Sequence, residues 1–110
     1  MMIRGIAFLT LVALSNFALA SGAFIAEGST IESIANTYNN TDSFSISVKG
    51  GIGVCGNTTI LFPRNATTSS EVHNRAYSTA LTAFSMGAKV KVYNYIGSDC
   101  KNASFIEIVR

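Results

Sequence analysis

The sequence contains one histidine and two cysteines, and only eight Lys/Arg against six Asp/Glu among 110 residues. Each scarcity excludes something. A protein metal site takes three or four ligands. His73 and a pair of oxidised cysteines cannot supply them, so no metal or cofactor is expected. Phosphate recognition takes several clustered cations, and the basic residues here are scattered, so neither nucleic acid nor an anionic membrane is an expected partner. Gly50, Gly51 and Gly53 resemble a phosphate loop, but no Lys-Ser/Thr pair follows them and they open no helix. They read as a flexible strand connection. The chain shows no repeat, no low-complexity tail and no linker, which leaves room for one domain.

One long apolar run is present, at the start. Arg4 gives a positive beginning, and residues 5–17 are almost wholly apolar. Ala18-Leu19-Ala20 places small residues where a signal peptidase reads them. The run is shorter than the roughly 20 residues that span a bilayer. Residues 1–20 are therefore expected to be an export signal, with residues 21–110 as the working domain, secreted or periplasmic and free of the membrane after cleavage. No cysteine follows the cleavage point, as a lipoprotein would need. Loss of Arg4 takes the formal charge from +2 to about +1.

A domain this small has a modest core, and a cross-link supports it. Cys55 and Cys100 are expected to form a disulfide, the default in an exported protein. Closing a loop of 45 residues stabilises a fold by roughly 4 kcal/mol in the chain-entropy treatment. Neither cysteine lies in a Cys-x-x-Cys pair or beside an activating histidine. Asn-x-Ser/Thr triplets at Asn39, Asn57, Asn65 and Asn102 read as chance products of an Asn- and Thr-rich chain.

The pattern of the domain is mainly β with one helix. Residues 25–37 read as a first strand bent at Gly28, and residues 38–42 as a turn. Residues 43–49 alternate, with Phe44, Ile46 and Val48 on one side and serines and Lys49 on the other. A third strand, 58–62, stops at Pro63. Thr68 and Glu71 have the spacing of a capping box, and Gly87 fits a C-terminal cap. Between them, 100° per residue places Val72, Ala76, Tyr77, Ala80, Leu81, Ala83 and Phe84 on one half of a helix. Residues 88–95 form a fourth strand with Val90 and Val92 inward, and residues 104–109 the last. The order β-β-β-α-β-β is that of an OB-like five-stranded barrel. The alternative is an open α+β sheet with the helix packed on one face.

The stretch from Val54-Cys55, through Ala76-Tyr77-Ser78-Thr79-Ala80-Leu81-Thr82-Ala83-Phe84-Ser85-Met86-Gly87, to Lys89-Val90-Lys91-Val92-Tyr93 resembles the OB-fold B subunits of AB5-type toxins, especially the subtilase-cytotoxin and typhoid-toxin group. Those proteins share a cysteine ending a strand, an Ala/Tyr/Phe-rich helix face, a Tyr/Phe-x-x-Gly turn and a Val-x-Ile/Val-x-Tyr strand. The likeness covers about half of the mature chain. It implies an OB fold and homo-oligomeric glycan binding. It departs at Phe44-Ser45-Ile46, where the B subunits carry a further cysteine, and it carries over no sugar-contacting residue and no toxin activity. The chain is also similar to small exported bacterial proteins of unknown function.

Lys89, Lys91, Tyr93 and Tyr95 form an outward stripe, a basic and aromatic surface suited to stacking on a ligand or to a subunit contact. Tyr38, Asn39 and Asn40 lie in the first hairpin turn, where OB folds often bind ligands. His73 falls within the apolar arc of the helix and reads as a boundary histidine whose nitrogens meet backbone or water. The expected function is a non-enzymatic binding module for a glycan or a protein partner, acting as a homo-oligomer. The alternatives are an exported inhibitor of a lytic enzyme or protease, and a small hydrolase using His73.

Overall fold

The computed structural model describes residues 22–110. The expected export signal at residues 1–20 lies outside the described residues. Five strands and one long helix follow in the order β1 (Ala23–Ala35), β2 (Ser43–Lys49), β3 (Thr59–Pro63), a short 3-10 turn (Arg64–Ala66), α1 (Ser70–Met86), β4 (Lys89–Asn94) and β5 (Phe105–Val109). The strands form one antiparallel sheet in the order β3-β2-β1-β4-β5. The domain is mainly β with one packed helix, as the sequence pattern implies. The sheet is not closed into a barrel, because β3 and β5 are its two edges.

β1 carries the architecture. Its first half, Ala23 to Thr30, pairs with β4, and its second half, Thr30 to Ala35, pairs with β2. Thr30 alone pairs on both sides, opposite Lys49 and Lys89. The register slips at three places, between Phe24 and Ala26, Glu27 and Ser29, and Ile31 and Ser33. Each slip adds a residue, twists the strand and bends it. The slips also explain why Ile25 and Ala26 are adjacent yet both fully buried, which strict alternation forbids. The strand starts and stops two residues earlier than the sequence pattern suggests, because Phe24 is held by pairing with Tyr93.

The side of β1 that β2 leaves open is taken by the glycine-rich segment 50–56. Glu27 and Ile52 exchange both backbone hydrogen bonds at 2.9 Å, and the Cys55 amide donates to the Ile25 carbonyl at 2.8 Å. The buried Ser29 hydroxyl donates to the Gly50 carbonyl at 2.8 Å. This strap lies so close to β1 that glycine is required. A Cβ on Gly51 would come within 2.8 Å of the backbone of Gly28 and Ser29, at a φ of +74°.

The core lies between one face of the sheet and α1. Ile25, Ile46, Ile60, Phe62, Val90 and Val92 are fully buried there, and Phe44 stacks on Phe62 at 4.5 Å. Only Ala76, Ala80 and Ala83 of the helix are buried. Leu81 and Phe84, expected inward, are 41% and 45% exposed. The small alanines let the helix sit close to the sheet, and a close contact is narrow, so residues at the margin of the apolar arc stay in water. The helix is capped by Ser69, whose hydroxyl accepts from the Val72 amide at 3.2 Å. Thr68, the expected cap, is one residue too early, and Glu71 sits in the first turn where it favours the helix dipole. Gly87, at φ 65°, ends the helix in the left-handed region and donates to the Phe84 carbonyl.

Cys55 of the strap and Cys100 of the β4–β5 connection form a disulfide with a Cα–Cα distance of 5.9 Å. The bond is consistent with an oxidising, exported setting. Among the described residues, no helix is long and apolar enough to cross a membrane.

Candidate functional site

Alternation along β4 buries Val90, Val92 and Asn94 and turns Lys89, Lys91 and Tyr93 to the outer face. Register extends that face sideways. Tyr93 stands opposite Phe24 of β1 and Phe105 of β5, which makes an aromatic row across three strands. The next row is Glu27, Lys91 and Glu107. The Phe24 ring meets Tyr93 edge-on at 4.8 Å, and Tyr93 meets Tyr95 at 4.6 Å. Lys91 Nζ lies 4.7 Å over the Phe24 ring, a favourable cation–π position. Phe24 is 42% exposed and Tyr95 is 61% exposed, so the row is open to solvent.

Tyr95 does not continue β4, contrary to the expected strand of residues 88–95. Asn94 turns the chain away. Its side chain is fully buried, its Oδ1 accepts from the amides of Ile96 and Gly97 at 2.8 and 3.0 Å, and its Nδ2 donates to the Asp99 carbonyl at 2.9 Å. A buried amide satisfied in this way fixes the loop and presents Tyr95 beside Tyr93. Further along the loop, Asp99 Oδ1 accepts from the Lys101 amide at 2.8 Å and from Asn102 Nδ2 at 3.0 Å. The Lys101 amide chiefly holds the Asp99 carboxyl below the usual carboxylate range, against the opposing desolvation, and the Asn102 bond adds a smaller push downward.

Lys91, Tyr93 and Tyr95 therefore come together, with Lys89 further along the same face. Tyr38, Asn39 and Asn40 do not join them. They sit beyond the opposite end of β1, in a turn where Asn39 and Asn40 both have positive φ, 52° and 56°, and the Thr41 amide donates to the Tyr38 carbonyl at 3.1 Å. Two adjacent left-handed residues are the requirement of a tight hairpin turn, which accounts for both asparagines. Phe24 and Phe105 belong to the aromatic row but are missing from the sequence-based selection. Phe24 precedes the expected start of its strand, and only cross-strand register places Phe105 beside Tyr93.

His73 is half-buried near the start of α1. Its Nε2 is 2.8 Å from the Phe62 carbonyl, and its ring lies 5.2 Å from that of Phe44. A carbonyl only accepts, so Nε2 carries the proton. A shallow hollow of about 240 Å³ beside it is bordered by Asn36, Asp42, Asn74 and Tyr77. Among the described residues, no three His, Cys, Asp or Glu side chains gather to hold a metal ion.

No curated protein and no solved structure matches the chain. The model of a family of unknown function, DUF5992, matches residues 4–110, and the chain belongs to that family.

Proposed function

We infer that the domain is an exported, non-enzymatic binding module of OB-like type, its sheet bridged between the edges rather than fully closed, and that the exposed aromatic row is its recognition surface for a glycan or a protein partner. The observation that carries this reading is the contact series Lys91–Phe24–Tyr93–Tyr95, held by strand register and by Asn94 and left open to solvent. Aromatic rings fixed at an exposed face offer large apolar area at low entropic cost, with the Tyr hydroxyls and Lys91 supplying polar contacts. Sugar rings stack on such surfaces through their C–H faces, and protein interfaces use the same residue types.

A glycan array, followed by titration of any hit with the wild type and with Tyr95→Ala, tests the reading. Tyr95 makes no core contact, so the variant should keep its fold and bind at least tenfold more weakly. A pull-down from envelope extract serves for a protein ligand. Folded protein with no ligand in either assay, or binding unaffected by Tyr95→Ala, overturns it. The mass of the native assembly separates a ring of subunits, as in the toxin B subunits, from a monomer.

A further inference from the structure

The open edge of β5 runs beside a line of hollows. β5 pairs with β4 through five consecutive residues without a bulge, and among the described residues nothing makes a backbone hydrogen bond to its other edge. Along that edge lies a series of hollows walled by the flank of α1. It begins as a space of about 380 Å³ by Val72 and Phe105, continues past Thr79 and Ile106, and widens to about 470 Å³ by Met86 and Ile108. The charged residues that line it are Arg75, Lys89 and Arg110, all cationic, and the acid of β5, Glu107, stands in the row with Lys91 on the other face of the sheet. The nearest acid on the helix, Glu71, meets Arg75 only at 3.9 Å with both side chains largely in solvent, too loose to neutralise the groove.

We propose that this groove binds an acidic segment of a partner protein, which adds to β5 as a further antiparallel strand. An unpaired edge supplies the backbone donors and acceptors, and every second side chain of the added strand turns into the space between edge and helix. Carboxylates turned into that space meet Arg75 and Arg110, with Lys89 at its end, and the apolar side chains of the segment lie on the other face beside Phe105, where Glu107 disfavours a further acid. Five residues of β5 span about 17 Å, enough for a segment of five to seven residues. The groove touches the aromatic row only at Phe105 and Tyr95, and it needs neither a glycan nor an oligomer.

The probe is a capped heptapeptide of alternating valine and glutamate, titrated into the labelled protein and followed through its amide resonances. In the free protein, alternate amides of β5 should exchange freely with solvent. Added peptide should protect them and shift resonances along β5 and the flank of α1 from Val72 to Met86. The valine–lysine peptide, and a valine–glutamate peptide N-methylated on alternate residues, should bind at least tenfold more weakly. Thr79→Glu, on the groove wall, should weaken binding about tenfold, whereas Ser78→Glu, on the far side of the helix, should not. Circular dichroism establishes that both variants are folded. The proposal fails if every β5 amide is already protected in the free protein, whether by a second copy or by this chain's own residues. It fails equally if the shifts centre on another face, if the lysine peptide binds as well, or if millimolar peptide leaves the spectrum unchanged.

Discussion

The sheet ends in β3 on one side and β5 on the other, and the two edges are finished by different means. β3 stops at Pro63, which has no amide to offer. In its middle, the Leu61 amide donates to the Cys100 carbonyl at 2.8 Å and the Leu61 carbonyl accepts from the Ala103 amide at 3.1 Å. The disulfide ties that same capping segment to the strap. β5 has no proline, no bulge and, among the described residues, no second backbone partner. A single stretch of chain serves both edges. Residues 100–103 cover β3, then the chain turns away and pairs with β4. The helix lies against β1 and β5, which its alanine stripe allows by approaching closely. An edge protected by proline and by backbone bonds is shielded from stray pairing. An edge left regular beside a cationic groove lacks that protection, and it is the one to which the proposed partner segment would add.

The contrast can be broken at the covalent link. Removing both cysteines, as Cys55→Ala with Cys100→Ala, should cost roughly 4 kcal/mol in urea unfolding, the value expected for a loop of that length. Hydrogen exchange should speed at Leu61 and Ala103 and leave β5 little changed. Equal loss at both edges would mean that the disulfide supports the whole sheet rather than the β3 cap.

The helix sharpens the comparison from the other side. Ala80 is fully buried, so Ala80→Leu should overpack the contact and cost about 1–3 kcal/mol, with the disturbance at β5 and β1. Ser78→Leu, on the exposed side, should change stability by less than about 0.5 kcal/mol. The reverse ranking would place the docking face of the helix elsewhere.

The strap gives an effect of similar kind. Gly51→Ala combines a left-handed φ with a collision against β1, and about 1–3 kcal/mol is expected from strain of this type. Gly87→Ala has the same sign of φ but open space around it, and should cost less. Comparable losses would show that φ alone, not the close approach, decides the penalty.

The smallest effect concerns pH. Asp99 lies in the loop that leads to the β3 cap, and its folded carboxyl titrates below the usual carboxylate range. A depressed folded pKa contributes stability above the unfolded value near 4, and that contribution is lost as pH falls through the folded value. Asp99→Asn should therefore flatten the acid limb of the stability curve slightly, with the protection of Lys101 and Asn102 reporting it. The group is exposed, so solvent screens the effect and a large change would contradict this account.

Much of this architecture was legible in the chain. Alternation from Ser43 to Lys49 and across Val90 and Val92 marks two strands because side chains on a strand point to opposite faces in turn. The alanine spacing at 76, 80 and 83 marks the docked side of the helix because four residues make about one turn. Gly87 marks its end because only glycine enters the left-handed region without penalty. The Cys55–Cys100 pairing was to be expected from there being two cysteines in a chain whose start reads as an export signal.

Other features depended on contacts between residues far apart in sequence. Three slips along β1 let one strand serve two partners, and no local pattern announces a slip, since its cause is the strap and the strands beside it. Asn94 reads as one more polar residue until the fold buries it and the loop closes on its amide. Phe24, Tyr93 and Phe105 are separated by most of the domain, and only strand register aligns them. Local sequence could decide where the chain extends or coils, because those preferences act over a few residues. Which side chains form a surface, which edge is covered and which stays open was decided by pairing and packing across the whole domain.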